Sequence, residues 1–252
     1  AGKTVLVSGA SSGLGAHFAR VLAQAGCDNL VLSARRMHKL KETADFIRKE
    51  TPNCTVATVS IDVADLASIT RGVDAAEAAV GGVMEVLINC AGIAKPSLSV
   101  EMRENDWDNV MAINLKGNFF MANEIAKRLM RVKKPGNIVN IASILSLRAG
   151  NMQANYASSK AAMLMYSKVQ ANEWSKHSIR CNSLCPGYFA SEMNDEFFST
   201  DAGKRYLARI PPKRLGELKE LNGPLLLLAS EASSFMTGTE VVVDLGHTNS
   251  AL

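Results

Sequence analysis

Seven short apolar runs recur along the sequence, at 4–7, 30–33, 56–61, 86–88, 137–141, 179–184 and 240–243, with a helix-period segment between each and the next. The helical stretches fall at 14–25, 39–50, 65–80, 105–131, 154–176 and 217–230. Several of the runs are continuously apolar rather than alternating, the pattern of strands covered on both faces. Strand–helix alternation this regular predicts an α/β domain, a parallel sheet with right-handed crossovers and helices on both sides. One long irregular stretch, about 186–214, carries Pro186, Gly187, Pro211 and Pro212 and reads as a substrate loop. No linker, repeat or low-complexity tract interrupts the pattern, so a single domain over 1–252 is expected.

Composition narrows the classes. A chain of 252 residues can bury about 70–75% of its unfolded surface and needs no disulfide or metal staple. The net charge is +4, and the basic clusters at 35–41 and 127–134 are not interleaved with aromatic residues, so no nucleic-acid partner is expected. Cys27, Cys54, Cys90, Cys181 and Cys185 form no C-x-x-C pair and read as buried small hydrophobes in a reducing compartment, without a metal site. No apolar run reaches the roughly 18 residues of a membrane span, and no secretory leader is visible. A cytoplasmic protein is the expectation.

Three motifs carry chemistry. The first apolar run leads into Ser8-Gly9-Ala10-Ser11-Ser12-Gly13-Leu14-Gly15 and then an amphipathic helix. Glycines there let a phosphate approach backbone N–H groups at a helix N-terminus, although a plain flexible turn has the same composition. The second run ends in Ser33-Ala34-Arg35-Arg36, where a dinucleotide fold normally places an acid for the adenosine ribose. Guanidinium groups in that position suit a 2′-phosphate, which favours NADP(H) over NAD(H), unless they merely begin a solvated helix face. Tyr156 and Lys160 share one helical face, and Ser143 follows the fifth run at the edge where ligands bind. A phenol titrates near pH 10, and an adjacent ammonium would bring it into range for proton transfer.

Together these residues resemble the short-chain dehydrogenase/reductase family over essentially the whole chain. The glycine motif, Asp62-Val63, Asn89-Cys90-Ala91-Gly92, Asn114, Ser143, Tyr156, Lys160 and Pro186-Gly187 occur in the family's order. The resemblance implies a Rossmann-type doubly wound seven-stranded parallel sheet in the order 3-2-1-4-5-6-7. It implies that Tyr156 is the general acid or base, that Ser143 binds the substrate oxygen, and that Lys160 lowers the Tyr156 pKa and holds the nicotinamide ribose. Asn114 would hold a relay water. Gly9 to Gly15, Ala34, Arg35, Arg36, Asp62, Val63, Cys90, Ala91, Gly92, Pro186, Gly187, Phe189 and Ser191 would line the cofactor. Three residues depart from the pattern: Ser8 for Thr, Cys90 for Asn, and Leu245 inside the usual Asp-Gly-Gly.

The same resemblance assigns the substrate pocket to Ser143, Leu145, Met152, Tyr156, Tyr188 and Met193, with Phe189, Phe197 and Phe198 nearby. Such a lining suits a hydrophobic ketone or acyl chain, unless several of these residues serve instead as core or subunit contacts. The expected activity is carbonyl reduction, with 3-oxoacyl-carrier-protein reductase and polyol or sugar dehydrogenase as alternatives. Arg131, Lys133, Lys134 and Lys176 would form a basic rim for a carrier protein, or simply cap helix ends. A cofactor-binding scaffold without turnover is the non-enzyme alternative, and the intact Asn114, Ser143, Tyr156 and Lys160 argue against it. A homo-oligomer, tetramer or dimer, is expected through the two long helices. The final Ser250-Ala251-Leu252 lacks the basic middle residue of a peroxisomal signal.

Overall fold

A computed structural model describes residues 2–190, 197–211 and 213–249. Seven strands form one sheet: β1 Thr4–Ser8, β2 Asn29–Ala34, β3 Thr55–Ser60, β4 Val86–Asn89, β5 Gly136–Ile141, β6 Ile179–Pro186 and β7 Glu240–Val243. Their order is the expected β3-β2-β1-β4-β5-β6-β7, with all pairings parallel. In register, Val7 of β1 lies between Leu32 of β2 and Ile88 of β4. Between β1 and β4 the strand order reverses, and the carboxyl ends there open a crevice.

Side chains alternate along β1, so Val5 and Val7 enter one core and Leu6 the other. The first core packs Leu30, Leu32 and Val139 against α1 (Gly13–Gln24), α2 (Met37–Glu50) and the helix Asn222–Ala229. The second packs Val31, Leu87 and Ile138 against α3 (Leu66–Val80) and α5 (Asn118–Val132). Each such leucine contributes about 1.5–3 kcal/mol on full burial. Among the described residues no helix is long and apolar enough to cross a membrane. Part of the basic cluster at 127–134 faces inward, because Arg128 is buried and paired with Asp74, Glu77 and Glu124 at 2.9, 2.8 and 2.7 Å.

Four local features differ from the pattern read in the sequence. The expected helix 105–131 is α4 (Glu104–Val110), a π-helical segment Met111–Gly117, and α5. The widened turn presses Gly117 against β3's exit, where a Cβ would stand 2.4 Å from the Val63 carbonyl oxygen. The stretch 217–230 begins as a 3-10 turn, Leu218–Leu221, closed by a Glu217/Glu220 capping box, before Asn222–Ala229. Within 186–214 lies a helix, Asp201–Arg209, whose N-cap Thr200 accepts from the Gly203 N–H. Its Gly and polar content concealed it. Leu245 adopts φ +52°, where a glycine would sit without strain. Asp244 holds that turn by accepting from the Gly246 and Thr248 N–H groups at 2.9 and 2.6 Å.

Candidate active site

The glycine turn joins β1 to α1 at the crevice. Gly9 has φ +69°, and a Cβ on it would meet the Ala91 backbone at 3.0 Å. Ser12, the N-cap of α1, makes no side-chain bond to the first-turn amides, and nothing lies within 4 Å of a Cβ position on Gly13. An uncapped helix N-terminus facing open space fits a pyrophosphate. Arg36 reaches back to this turn, its Nη2 donating to Ser11 Oγ at 3.1 Å and Ser12 Oγ at 2.8 Å. Arg35 leans the other way, 4.0 Å from Asp62 Oδ2 in an exposed pair. Both guanidinium groups therefore frame the corner beyond Ala34, and Arg36 is the one tied to the phosphate turn. Asp62 Oδ1 accepts from the Ala64 N–H at 3.0 Å, and Val63 is buried beside it.

The Cys90 departure leaves the strand braced. Ser8 Oγ accepts from the Cys90 and Ala91 N–H groups at 2.9 and 3.1 Å. Burial pushes the Cys90 thiol up to about 12, so it is a neutral filler. Asn89 takes the bracing role, donating to Asn118 O at 2.7 Å and Asn140 Oδ1 at 2.9 Å.

Ser143 stands just beyond β5, its Oγ accepting from the Leu145 N–H at 3.1 Å. Tyr156 and Lys160 lie on α6 (Ala154–Trp174), with Lys160 Nζ 5.8 Å from the Tyr156 ring centre. Burial pushes the Tyr156 phenol up to about 12, against a hydrogen bond with Ser143 that favours its ionised form. Burial likewise brings Lys160 down to about 8, and its Nζ donates to Ile141 O at 2.7 Å. The expected lowering of the Tyr156 pKa by Lys160 is therefore not seen in the chain alone: a desolvated phenol stands beside an ammonium committed to a carbonyl. A cationic nicotinamide would add the missing charge.

Asn114 lies in the π segment and is fully buried. Its Oδ1 accepts from Ile93 N–H at 2.8 Å and its Nδ2 donates to Ile93 O at 2.9 Å and Ser159 Oγ at 3.3 Å. The side chain is thus spent as a clamp. For a relay water it leaves its main-chain carbonyl, which accepts from Asn118 Nδ2 at 2.9 Å and keeps a second lone pair. Gly92 adjoins this group, since a Cβ there would lie 3.4 Å from Asn114 Oδ1 and 3.7 Å from Lys160 Nζ.

Two positioning side chains escaped the sequence reading. Asn155 is buried, its Oδ1 accepting from the Tyr156 N–H at 2.7 Å while Nδ2 donates to Lys95 O at 3.1 Å. Ser159 Oγ donates to Tyr156 O at 2.7 Å. An Asn at the first turn of a helix signals a cap; nothing in the sequence tells which loop it ties down.

On the substrate side, Leu145 is buried and Met152, at φ +63°, is exposed. Tyr188 contacts Phe198, Tyr206 and His247, with ring centres 5.3, 5.6 and 5.7 Å apart. Tyr206 OH and His247 Nε2 are 3.3 Å apart, and Arg148 donates to His247 O at 2.6 Å. The Phe189 ring is buried in the first core, and its backbone bridges to Gly216. Pro186 ends β6, and Gly187 donates to Val243 O at 2.9 Å. Ser191 and Met193 lie outside the described residues.

Comparison with known proteins agrees in fold and length. The family described as enoyl-(acyl carrier protein) reductase matches residues 9–248. The chain is 35% identical to the 2-dehydro-3-deoxy-D-gluconate 5-dehydrogenase of Dickeya dadantii, over 97% of this chain and 95% of that protein. It is 32% identical to the 3-oxoacyl-(acyl-carrier-protein) reductase of Thermotoga maritima, over 97% of each. The gluconate 5-dehydrogenase of Burkholderia cenocepacia, crystallised with NADP and tartrate, superposes with a TM-score of 0.93 at 33% identity, covering 99% of this chain and 96% of that one.

Proposed function

The chain belongs to the short-chain dehydrogenase/reductase family, and from that premise we propose that it is an NADP(H)-dependent oxidoreductase moving hydride between nicotinamide and a ketone or secondary alcohol. The observation that carries this reading is the convergence of Ser143, Tyr156 and Lys160 beside an uncapped helix N-terminus flanked by Arg35 and Arg36. The bound dinucleotide supplies or accepts the hydride. In reduction, Ser143 donates to the carbonyl oxygen where negative charge develops, and Tyr156 gives its phenolic proton to that oxygen. Lys160 holds the ribose, and together with the positive charge of the oxidised nicotinamide it would stabilise the phenolate left behind. Asn114 and Asn155 fix the backbone around them.

Within that activity a polyhydroxy acid or its keto form fits better than an apolar ketone. Phe197 and Phe198 meet edge to face, ring centres 5.0 Å apart, while the Tyr188 and Tyr206 hydroxyls, His247 and Arg148 bring polar groups to the loop. The gluconate-type relatives support the same class. Homo-oligomerisation through α5 and α6 suits the exposed Phe120, Met165 and Val169, and a cytoplasmic setting suits the free thiols. Rates with NADPH and NADH over sugar acids, their keto forms, apolar ketones and acyl thioesters test the reading. Turnover of keto sugar acids with NADPH is expected; turnover restricted to acyl thioesters overturns the substrate class. Arg36→Ala or Arg35→Ala should weaken NADPH binding about 10–100-fold, the worth of a charge-assisted bond, with NADH nearly unaffected. Equal losses for both would refute the phosphate assignment.

A further inference from the structure

At the opposite end of the sheet from Tyr156, Cys27 precedes β2 and Cys54 immediately precedes β3, two strands paired in register from Asn29 and Thr55. Their sulfur atoms are 3.6 Å apart, and both side chains are buried in the first core. A thiol–thiol contact leaves little to move: a disulfide needs about 2.05 Å between sulfurs, so the pair has to close by about 1.5 Å. Either thiol can donate in this contact, and the hydrogen bond from Cys27 lowers the Cys54 thiol from its ordinary value. Cys54 is thus the better nucleophile of the two. Cys27 also lines a cavity of about 430 Å³ with Leu22, Ala25, Val86, Leu226 and Ala229, which brings a small oxidant to Cys27, one sulfur–sulfur contact from Cys54. The other three cysteines, Cys90, Cys181 and Cys185, are held well above the thiol range by burial.

We propose that Cys27 and Cys54 are a dithiol modification site, closed by hydrogen peroxide into an intramolecular disulfide that staples the β2–α2 unit. The Cys54 thiolate attacks the distal peroxide oxygen, the O–O bond breaks, and hydroxide leaves as water after taking a proton. The sulfenic acid formed on Cys54 is attacked by the Cys27 sulfur; the S–O bond breaks and a second water departs with the Cys27 proton. Two thiols lose two electrons, and one peroxide is reduced to two waters. The bridge encloses residues 28–53, which include β2, α2, Arg35 and Arg36. It restricts the unfolded chain and leaves the catalytic centre untouched, so it acts on stability rather than on turnover.

The test treats the reduced full-length chain with hydrogen peroxide, alkylates the remaining thiols and maps peptides without reduction. The expected result is a Cys27–Cys54 linked peptide, loss of two of the five thiols, and a Tm raised by about 5–10 °C, all reversed by dithiothreitol. The double variant Cys27→Ser/Cys54→Ser should keep turnover and show no peroxide-dependent Tm shift. The wild-type peptide map decides the matter even if that variant folds poorly. Five intact thiols, a linkage to any other cysteine or between chains, or over-oxidation of Cys54 without the bridge would each overturn the proposal.

Discussion

Asn114, Asn155 and Lys160 each spend their polar atoms on main-chain groups of neighbouring segments, at Ile93, Lys95 and Ile141 respectively. Across the cleft, the rings of Tyr188, Tyr206, Phe198 and His247 pack on one another, and Tyr206 OH lies 3.3 Å from His247 Nε2. Amide clamps are directional, and breaking one strands a buried donor or acceptor at a cost of about 1–3 kcal/mol. Ring contacts tolerate exchange of one ring for another at a fraction of that cost. The chemical half of the cleft is therefore fixed in geometry, and the substrate half is free to change its partner.

The contrast can be broken most severely at its centre. Tyr156→Phe keeps the ring and removes the proton donor; turnover should fall about 100- to 10,000-fold, with dinucleotide affinity nearly unchanged by fluorescence titration. Lys160→Met should also abolish most turnover, yet raise stability. The folded pKa of about 8 lies below the ordinary 10.5, so the unfolded chain binds this proton more tightly. Burial of the ammonium therefore costs stability below pH 8, and the cost is relieved as pH rises toward 10.5. The methionine variant should be more stable than wild type at pH 7 by up to about 3 kcal/mol in denaturant titration, and should lose the wild-type gain above pH 8. A destabilised variant would show that the Ile141 hydrogen bond outweighs desolvation. Asn155→Ala, on the clamped side, should cost about 1–3 kcal/mol and lower kcat roughly tenfold, in line with a catalytic group shifted by less than 1 Å. Tyr206→Phe, on the ring side, should leave kcat within about twofold and change KM a few-fold, the worth of one ordinary hydrogen bond. If Tyr206→Phe proved as damaging as Asn155→Ala, the contrast between the two sides would fail.

The sheet was legible because parallel strands must be apolar on both faces, and residues 30–32 and 86–88 are apolar without a break. Spacing placed Tyr156 and Lys160 on one helical face and Ser143 at a strand end, and the family resemblance gave them their roles. The state of the site was not legible. Whether Lys160 acts on Tyr156 depends on an Ile141 carbonyl 19 residues upstream, and which arginine meets the phosphate turn depends on side-chain direction. The substrate loop hid a helix because Asp201–Arg209 has an exposed, polar sequence whose apolar contacts are rings outside it. The Tyr188–His247 contact joins segments distant in the chain and leaves no periodic trace.

The π-helical segment Met111–Gly117 carries a residue more than a regular helix of the same rise needs. Each residue of an α-helix turns the chain by about 100°, so the extra one sets α4 and α5 out of phase by that angle. Loss of any single residue between 111 and 117 would let the two helices run on as one. Asn114 would then swing away from Ile93 even with its own identity intact. What this stretch holds constant is a count as well as a composition: Asn114 and Gly117 are fixed by their contacts, and the number of residues around them sets where those contacts fall.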